Sequence, residues 1–115
     1  MSVSFACVRF MAEGFHNWPA APESRAYLRA RHRHVFRVEV RIEVLHEDRE
    51  IEYHDLLDFC RAIWPGRELG AASCEMIGRV LGEKILYKWP GRELRIEVWE
   101  DGEVGAEVRF ERVSD

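Results

Sequence analysis

Polar and apolar residues alternate almost without fault from His34 to Leu45. Phe36, Val38, Val40, Ile42 and Val44 share one face, and Arg37, Glu39, Arg41 and Glu43 share the other, which predicts a long, half-buried strand. A weaker alternation from Ser2 to Met11 predicts a first strand, with His16 at its end. Between the two, Asn17 to Arg31 carries Pro19, Pro22 and small residues and reads as a long loop. After a polar turn at Glu47 to Glu50 the period changes. From Asp55 to Trp64, Leu56, Phe59, Cys60 and Ile63 form one helical stripe, which Pro65-Gly66 ends. Ser73 is a suitable N-cap for a second helix carrying Ile77, Val80, Leu81 and Ile85, with Glu75 in the first turn where the helix dipole favours an acid. Gly78 and Gly82, four apart in that helix, either permit close packing or weaken it. Leu94, Ile96 and Val98, then Ala106, Val108 and Phe110, alternate about Asp101-Gly102 and predict a closing hairpin.

The order strand, strand, helix, helix, strand, strand predicts one α+β domain over residues 1–115, with a four-stranded antiparallel sheet and two helices on one face. The helices leave the other face and both edges of such a sheet uncovered. Long open edges invite further pairing, so an oligomer is expected.

Composition narrows the function classes. The chain has 115 residues, 47% of them hydrophobic and 33% charged, enough apolar material for one folded core. Its net charge is −4, which disfavours nucleic acid as a partner. No apolar run has the length of a membrane span and no charged-then-apolar leader opens the chain, so no membrane partner and a cytoplasmic location are expected. Cys7, Cys60 and Cys74 show no paired metal spacing and read as reduced thiols.

The five histidines are the candidate chemistry. His32 and His34 lie two apart at the entry to the longest strand, so both imidazoles point to one side and can reach one ion. His16 becomes a third ligand if the first two strands pair antiparallel. Three neutral imidazoles leave a tetrahedral zinc one open position, the pattern of catalytic zinc. A solvated basic strand end would give the same sequence. A cupin-like metal motif also fits the spacing of His32, His34 and Glu39, but Ala26 and His46 stand where that motif has glycines, and Glu39 faces away on a regular strand.

Several motifs in order suggest a different relationship. Ala12-Glu13-Gly14-Phe15-His16, a loop, and His32-Arg33-His34-Val35-Phe36 are followed by Glu52-Tyr53-His54-Asp55-Leu56, Ala72-Ser73-Cys74-Glu75 and Val98-Trp99-Glu100. Together these resemble, over almost the whole chain, the 6-pyruvoyl- and 6-carboxytetrahydropterin synthase family. The resemblance implies a tunnelling fold (T-fold) whose subunits join into a barrel, commonly a homo-hexamer of two stacked trimers. It implies zinc on His16, His32 and His34, and a pterin such as dihydroneopterin triphosphate, or a related purine-like compound, as ligand. Glu100 matches the family's pterin anchor, a carboxylate that accepts paired N–H bonds, and Glu75 matches a second polar anchor. The implied activity is that of a zinc-dependent carbon–oxygen lyase.

The catalytic residues of that family are not matched. It places a cysteine just before the first histidine of its H-x-H motif, whereas no cysteine occurs here between Cys7 and Cys60. Its Asp-His proton relay lies between the two helices, where this chain has only Pro65 to Ala72, without Asp or His. Glu23 and His54 are the spare candidates for a base. The run of Arg25, Arg29, Arg31 and Arg33 is either a cradle for a substrate triphosphate or a solvated face. A non-catalytic homologue that only binds zinc and a pterin is the alternative reading.

Overall fold

The computed structural model describes residues 2–112. It contains β1 (Ser4–His16), β2 (His32–Val44), α1 (Tyr53–Ala62), β3 (Glu68–Gly70), α2 (Cys74–Lys88), β4 (Leu94–Glu100) and β5 (Val104–Phe110), with a 3-10 segment at Glu23–Leu28 in the long loop. The domain is α+β, and its sheet runs β3-β1-β2-β4-β5. The four long strands are antiparallel neighbours, as their alternation predicts. The expected count of four is corrected to five by β3, which pairs in parallel with β1 at Phe15 and His16. Three residues are too few to show a strand period. β3 is instead fixed by backbone bonds from Phe15 N–H to Arg67 O and from Asn17 N–H to Gly70 O.

The inward rows of the sheet form the core. Phe36, Val38, Val40 and Ile42 of β2, and Leu94, Ile96 and Val98 of β4, are buried with Ala6, Val8 and Phe10 of β1. Leu56 and Cys60 of α1 and Ile77, Leu81 and Ile85 of α2 cover them. α1 packs on β1, and α2 packs on β4 and β5. Each fully buried aliphatic or aromatic side chain contributes about 1.5–3 kcal/mol of transfer free energy. The two helix glycines serve packing: a Cβ on Gly78 would lie 2.9 Å from Val108, and one on Gly82 would lie 2.1 Å from Phe110.

Helix boundaries follow from caps. The Ser73 hydroxyl accepts the Met76 N–H, as expected of an N-cap. α1 starts two residues before the expected Asp55, because the Glu52 carboxylate accepts the N–H groups of His54 and Asp55. The outer sheet face is a charge ladder: Arg41 bonds Glu39 at 2.7 Å and Glu97 at 3.2 Å, and Arg9 approaches Glu39 at 3.5 Å. No helix among the described residues is long and apolar enough to cross a membrane.

Candidate metal centre

The antiparallel register sets His16 directly opposite His32 and Gly14 opposite His34. All three histidines extend the core-facing rows of β1 and β2, beyond Phe36, where the sheet passes from its apolar core to an open cleft. One ring nitrogen of each lies within 4.8 Å of the others, close enough to hold a metal ion. Ring centroids are 4.6 Å apart for His16 and His32, 5.0 Å for His16 and His34, and 4.9 Å for His32 and His34. Gly14 is needed beside them, since a Cβ there would lie 2.6 Å from Leu69 and 2.9 Å from the buried Phe36 ring.

Each ring is oriented through its other nitrogen. His16 Nδ1 is 2.8 Å from the Ala72 carbonyl, His32 Nδ1 is 2.9 Å from the Ala30 carbonyl, and His34 Nδ1 is 2.7 Å from Asp101 Oδ2. Carbonyls and carboxylates accept, so each Nδ1 carries a proton, and in the neutral ring Nε2 keeps its lone pair. His34 Nε2 is buried with no hydrogen-bond partner. An orphaned lone pair beside two more imidazoles, all three anchored through Nδ1–H, is the donor set and outer shell that a divalent ion requires. The residues therefore fit such an ion.

Asp101 escapes a reading of the sequence, where it serves only as a turn residue. It sits at φ 56° and accepts the Val35 N–H through Oδ1, while its own N–H donates to Val35 O. The His34 N–H, then the Val35 N–H, hold its carboxyl below the ordinary carboxylate range.

Glu100, last residue of β4, is brought to the histidines. Its Oε2 is 3.2 Å from His16 Nε2, and its Oε1 is 3.6 Å from His34 Nε2. The Cys74 thiol donates to Glu100 Oε2 at 3.7 Å. Burial, then the nearby Glu100 carboxylate, pushes the Cys74 thiol up to about 12. Cys74 was not marked by any spacing in the sequence, yet it opens α2 and lines the same cleft. That cleft, about 470 Å³, is walled by His16, His32, Trp18, Cys74, Glu75 and Glu100 among others. Glu75 stands exposed at its rim.

The spare base candidates lie elsewhere. Glu23 is almost fully exposed and pairs with Arg29 at 3.2 Å. His54, also exposed, bonds Glu52 at the start of α1. Its neighbour Tyr53 shares a surface groove with Ser4 and Val44, at the far end of β1 from His16. Thirteen residues of strand separate those ends, roughly 40 Å at the usual rise. Glu39, the third residue of the cupin-like pattern, is on the outer face with Arg41. Of the arginine run, Arg31 pairs with Glu68 and Arg33 with Glu13 at 2.5 Å, and none of the four lines the cleft. Trp99 lies on the outer face, where its N–H bonds Glu97 at 2.8 Å.

Compared with protein-family models and with curated protein sequences, the chain matches none.

Proposed function

We propose that the chain is a zinc-binding homologue of the 6-pyruvoyl- and 6-carboxytetrahydropterin synthases, with a tunnelling fold, that binds a pterin or a related purine-like compound in the cleft beside His16, His32 and His34. The observation that carries this reading is the convergence of three imidazoles, each anchored through Nδ1, two of which, His16 and His32, wall an open cleft. Three nitrogens suit zinc, which takes tetrahedral nitrogen sites. When bound there, zinc supplies Lewis-acid polarisation of substrate oxygens. Ala72, Ala30 and Asp101 orient the imidazoles, Glu100 and Glu75 offer acceptors for the N–H groups of a pterin edge, and Trp18 offers an apolar wall.

A homo-oligomer, a hexamer in this reading, suits the sheet. β5 has no strand on its outer side among the described residues, and β1 is covered on its outer side only at Phe15 and His16. Two open edges on a curved sheet are what side-by-side closure into a barrel would use.

Binding without turnover is favoured as a second reading by one observation: Cys74, the one thiol lining the cleft among the described residues, is buried, which pushes it up to about 12. A neutral thiol is a poor base, and neither Glu23 nor His54 lines the cleft. Incubation of the zinc-loaded protein with 7,8-dihydroneopterin triphosphate, with mass detection of products and a parallel pterin titration, tests both. Turnover that His16→Ala abolishes supports a lyase, and tight binding without turnover supports the binding module. Absence of any pterin binding contradicts the proposal.

A further inference from the structure

We propose that the Glu100 carboxylate is the fourth ligand of the ion held by His16, His32 and His34, so that the resting site is closed and an incoming molecule must displace it. This rests on the metal reading above and changes the part Glu100 plays in it, from a group that only receives the ligand to one that also guards the ion.

Three observations carry the inference. The first is distance. Metal–nitrogen and metal–oxygen bonds of about 2.0–2.2 Å in a tetrahedron put neighbouring donor atoms about 3.3–3.6 Å apart. Glu100 Oε2 lies 3.2 Å from His16 Nε2, and Oε1 lies 3.6 Å from His34 Nε2, so each carboxylate oxygen stands close to the separation of one ligand from a neighbouring one. The second is donor arithmetic. His16 and His34 each spend their Nδ1–H on Ala72 and Asp101, so in the neutral rings a metal ligand requires their Nε2 lone pairs face carboxylate oxygens that also only accept. Facing lone pairs are satisfied by a shared cation. The third is charge. Glu100 ends the buried row Leu94, Ile96, Val98, and its side chain is 23% exposed. Among the described residues no lysine or arginine reaches it, whereas Glu13, Glu39, Glu50 and Glu68 each have an arginine. A largely buried carboxylate needs a compensating positive charge, which an ion on the three imidazoles would supply.

Cys74 completes the device as a positioning residue. Its S–H donates to Oε2, the oxygen nearer His16, and holds the carboxylate toward the imidazoles. Displacement breaks one metal–oxygen bond to Glu100 and forms one to the incoming molecule, with no proton or electron moved. The freed carboxylate can then accept N–H groups from that molecule.

Cobalt(II) in place of zinc, read by its visible absorption, tests the proposal with azide as the displacing probe. The wild-type spectrum should resist azide, while Glu100→Ala and Glu100→Gln should respond at concentrations at least about tenfold lower. Both variants should also bind cobalt about tenfold or more weakly. The Gln variant keeps the side-chain volume, so its folded far-UV spectrum guards against a trivial loss of structure. A wild-type response at the same azide concentration as the variants overturns the fourth-ligand proposal while leaving the three-histidine site standing. Failure of the wild type to take up cobalt defeats both together, a distinguishable result.

Discussion

His34 donates its Nδ1–H to Asp101 Oδ2 at 2.7 Å, linking a candidate ligand on β2 to the turn that joins β4 and β5. The same aspartate clasps Val35 through both of its backbone-directed bonds, so the turn is tied to the end of β2. The ring of His34 is therefore oriented by the protein itself.

Asp101→Ala should weaken metal binding by about 10–100-fold, the usual cost of losing a partner of a ligating histidine. Asn should lose less, since its amide oxygen still accepts the imidazole N–H and it tolerates the positive φ of this position. Competition titrations against a chelating dye give both values.

Gly14→Ala places a methyl group 2.6 Å from Leu69 and 2.9 Å from Phe36, whose ring is fully buried and has nowhere to move. Urea denaturation should show a loss of about 1–3 kcal/mol. Because Phe36 packs edge-on against His16 and His34, metal affinity should fall with stability.

Why some of this centre was legible in the chain, and some not, follows from the period of each element. His32 and His34 continue the alternation of β2, so their common face follows from sequence spacing, and His16 needed only the antiparallel pairing of two adjacent strands. The Ala72 carbonyl that orients His16 could not be found this way, because backbone acceptors carry no residue signature. β3 and the placing of Cys74 depend on the path of residues 63–73, a loop with no periodic pattern. Asp101 looked like any turn aspartate until the register of β2 and β4 set it beside His34.

Acid should weaken the fold at Glu50. Burial opposes its ionisation, but the Leu45 N–H and the buried Arg92 outweigh it and hold its pKa below the ordinary 4.5. The stability this provides is present above pH 4.5 and lost as pH falls through the lowered folded value. Glu50→Gln leaves Arg92 without its carboxylate partner and should cost about 3 kcal/mol at pH 7. The cost should shrink as pH falls through that lowered value, which denaturation at several pH values would show.

Thiol reactivity should separate the three cysteines. Burial pushes Cys60, and burial with the Glu100 carboxylate pushes Cys74, up to about 12, whereas Cys7 lies exposed on the outer face. At pH 8 a thiol reagent should label the folded chain once, and Cys7→Ser should abolish that labelling. Denaturant should restore reaction at all the cysteines present.

One divalent ion held jointly by His16, His32 and His34 is the proposal on which the rest depends. Metal analysis after equilibrium dialysis against zinc, on the wild type and on the three single His→Ala variants, tests it most directly. About one ion per wild-type chain is expected, with affinity lowered more than about a hundredfold in every variant, beyond the effect of losing a hydrogen-bond partner of a ligand. Equal uptake by wild type and His32→Ala, or none by either, would contradict it.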